Sequence, residues 1–236
     1  ISGSHTYAVP GVYSVTATII DDDTGSDISI TDEYIVVYDR TGGYVTGSGK
    51  LTSPVGAYVL DPTLTGTAQF GFNAKYSRRA IVPSGKTEFT LLVCQRIGGG
   101  DHDGDNDDED DCGRDGDGRQ GDDRRDRHRG DDHRDRDGHA DCIRRGFEFK
   151  STSYEWLVVP GATSATYQGV GTLNGVAGYA FTVTIYDGGE ALGADRMRIQ
   201  IWNPTGTLVY DNQLGDPYDG PATQPITKGK ITIQGA

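Results

Sequence analysis

Residues 98–146 carry almost no apolar side chain, yet a strand pattern stands on each side of them. Before them runs Lys86-Thr-Glu-Phe-Thr-Leu-Leu-Val-Cys94. After them runs Gly146-Phe-Glu-Phe-Lys-Ser-Thr-Ser-Tyr-Glu-Trp-Leu-Val-Val159. A segment with no apolar surface to bury cannot supply a core. The core must therefore come from the flanking β-rich sequence, with 97–146 as an Asp/Arg-rich insert at one hairpin tip.

The insert has two halves. From Asp101 to Cys112 there are eight acids and no Lys or Arg, whereas from Gly113 to Arg145 ten Asp balance ten Arg. Most of the net charge of −13 therefore sits in one short run. Such a run repels itself unless cations neutralise it. Asp101, Asp103, Asp105 and Asp107 alternate with other residues around Gly104, the spacing that hard oxygen ligands for calcium adopt, and Glu109 and Asp111 extend the set. The run resembles the Asp-rich calcium loops of EF-hand and thrombospondin-type repeats. It departs from the EF-hand pattern at Asn106, where the turn glycine belongs, and in lacking a well-placed bidentate Glu. Calcium is the expected ligand, against a bland alternative of a solvated acidic loop. In the second half His128, His133 and His139 show no paired zinc spacing, so a self-neutralising polyampholyte is favoured over a zinc site. The interleaved Asp also opposes RNA binding by the Arg residues.

Cys112 and Cys142 bracket the second half, and a disulfide between them would stabilise the loop by roughly 3–4 kcal/mol on the chain-entropy model. Cys94 is then expected to be unpaired, a small hydrophobe on its strand. A disulfide implies an oxidising, extracellular compartment. The overall acidity argues against nucleic acid as a partner. No apolar run approaches the ~20 residues of a membrane span.

Along the rest of the chain, short alternating segments are separated by turn chemistry, with no helical period. Val12 to Ile19 alternates, Asp21-Asp-Asp-Thr-Gly25 reads as a turn, and Ile28, Ile30 and Tyr34 to Tyr38 give one or two further strands. Later strands are expected around 68–76, 86–94, 147–159, 165–173, 178–186, 195–202, 207–210 and 230–234, with Asn203-Pro-Thr-Gly206 as a turn. The fold class is all-β, built of antiparallel Ig-like β-sandwich modules.

Two resemblances sharpen this. His5-Thr-Tyr-Ala, Pro10-Gly-Val-Tyr-Ser-Val-Thr-Ala-Thr, Asp21-Asp-Asp-Thr-Gly and Ile35-Val-Val-Tyr resemble the second half of a PKD domain, an Ig-like sandwich of extracellular proteins. The first half of that domain, with its W-D-F-G-D-G signature, is missing, so 1–39 is expected to be a partial domain supplying about three strands. Residues 40–234, apart from the insert, resemble the post-COAP-type module of prokaryotic surface proteins. The residues that carry this include Phe70-Gly-Phe, Ser153-Tyr-Glu-Trp-Leu, Asp195-Arg-Met-Arg-Ile-Gln-Ile-Trp and Val209-Tyr-Asp-Asn-Gln. The resemblance implies a cell-surface location and no activity.

No catalytic constellation stands out. Glu88, Glu148 and Glu155 could pair across neighbouring strands as glycosidase carboxylates do, but their alternation with Phe89, Phe147, Phe149 and Trp156 reads as a solvent face. The expected function is a non-enzymatic structural or adhesive segment that pairs with copies of itself or neighbouring surface domains, in a fibre or matrix. The alternative is a carbohydrate-binding module, which an exposed row of Tyr and Trp would favour.

Overall fold

The computed structural model describes residues 4–20, 26–39, 43–96, 142–189 and 193–235. All of its named elements are strands. β1 (Gly11–Ile20) and β2 (Ser26–Val37) form a two-stranded antiparallel sheet, with a register shift between Ser14 and Thr16. The region expected to hold up to three strands holds two. Ile28, Ile30 and Tyr34 lie on one continuous β2, with no Gly or Pro inside it to break the strand.

Nine strands make the second sheet: β3 (Tyr44–Ser53), β4 (Gly66–Lys75), β5 (Ser84–Arg96), β6 (Cys142–Val158), β7 (Ser164–Leu173), β8 (Val176–Tyr186), β9 (Arg196–Trp202), β10 (Leu208–Asp211) and β11 (Lys228–Gln234). Their order is β10-β9-β8-β7-β6-β5-β4-β3-β11. Each strand from β3 to β10 pairs with its sequence neighbour, and β11 returns to pair with β3. The two separate layers of a sandwich are thus replaced by one strongly curled half-barrel sheet. Its curl brings distant strands together: Phe72 of β4 meets Tyr167 of β7 with ring centroids 5.8 Å apart. Phe89 of β5 and Phe147 of β6 meet Tyr210 of β10 at 5.1 and 5.2 Å.

Local chemistry explains the curl. Bulges shift the β6–β7 register at Ser151/Ser153 and Tyr154/Trp156, and the β7–β8 register at Gly171/Thr172. Each extra residue bends its strand and increases the local twist. On the inner face aromatic rings lie over cross-strand glycines, Phe72 over Gly47 and Phe181 over Gly169. Large rings thereby fill the space the glycines leave. The strand alternation seen in the sequence places Phe89, Phe147, Phe149, Tyr167 and Phe181 in the core, all buried. Their polar atoms are matched: Thr87 Oγ1 donates to the Tyr167 hydroxyl at 3.2 Å and lies 2.7 Å from that of Tyr154. Burial pushes the Tyr167 phenol well up, so it stays neutral.

Both edges of the large sheet are covered. Residues 57–59 pair along β10, with Val59 N donating to Val209 O and Asp211 N to Ala57 O, each at 2.9 Å. On β11, Ile231 N donates to Asp195 Oδ2 at 2.7 Å and Ile233 N to Asp187 Oδ2 at 3.0 Å. Asp195 also accepts Gly188 N at 3.0 Å. Carboxylates at the β8–β9 connection therefore blunt the edge that another strand would otherwise extend. Asp195→Ala strands two backbone donors at once. It is expected to lower stability by roughly 2–3 kcal/mol, measured by urea denaturation.

β5 and β6 are neighbours, so the charged insert does join adjacent antiparallel strands. Its residues 97–141 lie outside the described set. Cys112 and the side chain of Cys142, the expected bridge, lie outside the described set as well. Cys94, however, is half-buried near the end of β5 and disulfide-bonded, which corrects the expectation that it stands alone.

Candidate ligand cleft

The expected calcium ligands Asp101, Asp103, Asp105, Asp107, Glu109 and Asp111 lie outside the described residues, as do His128, His133 and His139. Among the described residues no group of three His, Cys, Asp or Glu side chains converges on a point.

The three carboxylates weighed for glycoside hydrolysis can be placed. Glu88 takes a salt bridge from Lys86 at 2.7 Å, and Glu148 one from Lys150 at 2.9 Å. The hydrogen bond from Lys86 holds the Glu88 carboxyl below its usual range. A general acid needs the opposite shift. Glu155, on the bulged part of β6, accepts Gln168 Nε2 at 2.7 Å. The solvent-face alternation of these acids is therefore what the strands deliver.

A cleft lies on the outer register of β7, β8 and β9. Gln168 is paired with Thr182, and Thr182 with Gln200. Tyr218, from the segment after β10, folds over this row. Its hydroxyl donates to Gln168 Oε1 at 3.0 Å and lies 3.1 Å from Thr182 Oγ1. Burial raises the pKa of the Tyr218 phenol, which keeps the hydroxyl protonated as a donor. The Tyr218 ring stands 5.6 Å from Trp202 and 4.4 Å from Tyr34 of β2, so three aromatic residues form a row across the face. Beside Trp202 and Tyr218 opens a cavity of about 350 Å³, lined by these two with Gln168, Ala180, Asn203, Pro204, Gly178 and Gly206.

The cleft rim is the turn expected from Asn203-Pro-Thr-Gly206. Asn203 Oδ1 accepts Thr205 N at 3.0 Å, Thr205 Oγ1 at 2.8 Å and Thr207 N at 2.9 Å, so its oxygen is fully used.

A buried ionic network holds the segment that carries Tyr218. Arg198 and Asp211 are 1% and 2% exposed. The guanidinium donates to Asp211 through Nε at 3.1 Å and Nη2 at 2.8 Å. It also donates to Pro217 O at 2.6 Å and Asp216 O at 3.2 Å. Asp211 further accepts Gln213 N at 2.8 Å and Gln200 Nε2 at 3.2 Å. Gln213 ties the far end, accepting Thr223 N and Gln224 N and donating to Pro221 O. Buried charges survive only when paired and hydrogen-bonded in this way. One acceptor in the neighbourhood, Gln200 Oε1, is buried with no protein partner among the described residues.

Sequence reasoning singled out Trp202 and the residues of this network only as parts of a family-like motif. The signal that could have found the cleft was register. Trp202 shares a strand face with Arg198 and Gln200, where a solvent-facing strand has little use for an indole. No protein-family model, curated protein or solved structure matches the chain.

Proposed function

We propose that the chain is a non-catalytic structural or adhesive module of a secreted, cell-surface prokaryotic protein. The resemblance to PKD and post-COAP-type modules supports the location, and supports reading the β1–β2 hairpin as part of an Ig-like sandwich. The observation that carries the non-catalytic reading is the state of the surface carboxylates. Glu88 and Glu148 are each tied to a lysine two residues away on the same strand, and Glu88 is held ionised. An acid so held is a poor proton donor, whereas the uncharged aromatic and amide cleft is suited to holding a ligand.

Assembly follows from the edges. The edges of the nine-stranded sheet are covered, so strand addition from another copy would go through the hairpin. A head-to-tail contact of that kind need not close, and it builds filaments. Electron microscopy and sedimentation of the concentrated chain are expected to show regular oligomers. A chain that stays monomeric at high concentration and fails to adhere to the surface it is secreted onto would overturn the reading.

The acidic run 101–111 is proposed to bind calcium through the six carboxylates named above, on charge density alone. Calcium is then expected to raise the melting temperature by several degrees relative to chelator, by mass action on the native state. An unchanged melt with no calorimetric heat would remove calcium from the account.

A further inference from the structure

The cleft at Trp202 has a character that specifies its ligand. None of the eight residues lining it is charged. That composition disfavours phosphorylated, sulfated or strongly ionic ligands, which need a cation or a cluster of backbone N–H groups. Its volume of about 350 Å³ falls at the small end of ligand clefts, enough for one or two rings. One wall is aromatic, from Trp202 and Tyr218, and the rim is amide.

The amides are fixed in orientation. Gln168 Oε1 is occupied by Thr182 and Tyr218, and one Nε2 hydrogen by Glu155, which leaves one N–H unused. Asn203 Oδ1 is occupied three times over, which leaves its Nδ2 group as the available donor. The ligand therefore meets an aromatic plane and, around it, amide donors with no charged group among the lining residues. A pyranose with equatorial hydroxyls presents that complement: an apolar C–H face to stack on a ring, and edge hydroxyls that both donate and accept.

We propose that this cleft binds a neutral polysaccharide, seating one or two pyranose units against Trp202 with their hydroxyls on Gln168 and Asn203. The proposal rests on the non-catalytic reading above and names the partner of that surface. Tyr218 is a positioning residue: its ring closes the cleft, and the Arg198–Asp211 network holds its segment in place. Tyr34 of the hairpin packs on that ring, outside the residues that line the cavity.

The test is calorimetric titration of the whole chain with cellohexaose, chitohexaose and mannohexaose, with tryptophan fluorescence read in parallel. Saturable binding of at least one sugar is expected, insensitive to salt because no ion pair forms. Trp202→Leu is expected to weaken it about tenfold or more while the circular dichroism spectrum is kept. Gln168→Ala serves as a second variant should Trp202→Leu unfold, with a smaller loss expected. Tyr44→Ala, at an exposed position on β3, is expected to bind like the parent. The proposal is overturned if none of the three sugars binds, or if binding survives both cleft substitutions unchanged. A chain that assembles or adheres yet binds no sugar removes the saccharide and leaves the adhesive reading standing. A chain that binds sugar but neither assembles nor adheres removes the adhesive reading and keeps the saccharide.

Discussion

Asp211→Ala is expected to lower the stability of the chain by roughly 3–5 kcal/mol, read as a fall in the urea midpoint at unchanged slope. The loss is large because of what stays behind. The Arg198 guanidinium is 1% exposed, and with Asp211 gone its charge keeps only the carbonyls of Asp216 and Pro217. Gln213 N and Gln200 Nε2 lose their acceptor in the same step. Domains of this kind have about 5–15 kcal/mol in total, so the variant is marginal at 37 °C. A double variant, Arg198→Met with Asp211→Leu, separates the two causes. Removing both charges abolishes the stranded guanidinium, and stability is expected to recover by more than half. The double variant still loses the hydrogen bonds that hold 212–224 over the outer face. Its cleft is therefore expected to bind more weakly even when it is folded. A double variant as unstable as Asp211→Ala would show that the hydrogen bonds, not the charge, dominate.

The strands were legible in the sequence because period-two alternation is a local property. The burial of β7 alternates without a break over Ser164–Leu173, and the aromatic residues on that register became the core. The curl was not legible. Alternation says which side chains share a face, but it does not say whether a face closes on a second sheet or on itself. The bulges at Ser151/Ser153 and Tyr154/Trp156, and the glycines beneath Phe72 and Phe181, decide that. Each is a one-residue event set within a strand of ordinary pattern. The network was hidden for a different reason. Arg198 and Asp211 alternate with Ile199 and Tyr210 as solvent-facing residues do. Only the return of 212–224 across that face buries them, and a Gly/Pro/Asp-rich segment announces a loop without saying where it lies. The aromatic row was missed with it, since Tyr34, Trp202 and Tyr218 come from three distant parts of the chain.

Gly146→Ala is expected to be severely damaging, at roughly 3–5 kcal/mol from backbone strain and overpacking together. Gly146 sits inside β6 at φ +126°, a conformation that side chains rarely adopt. A Cβ there would run into the carbonyl oxygen of Leu91 on the adjacent β5. Backbone cannot rotate aside as a side chain can, so relief requires β5 and β6 to part. Those two strands carry Phe89, Leu91, Phe147 and Phe149, all fully buried, and the hydrogen bond from Thr87 N to Ser151 Oγ at 2.8 Å. Two glycines calibrate the effect. Gly175 has φ +80° with open space around it, so Gly175→Ala incurs strain alone, about 1 kcal/mol. Gly71 lies on β4 with an ordinary backbone conformation and nothing within 4 Å of where a Cβ would stand. Gly71→Ala is therefore expected to stabilise by roughly 0.4–1 kcal/mol through the unfolded chain. Melting temperatures of the three variants should rank Gly71→Ala above the parent, Gly175→Ala slightly below it and Gly146→Ala far below. A Gly146→Ala protein that melts with the parent would mean that β5 and β6 do not approach as closely as this sheet requires. The charged insert would then have to be carried on a wider pair of strands.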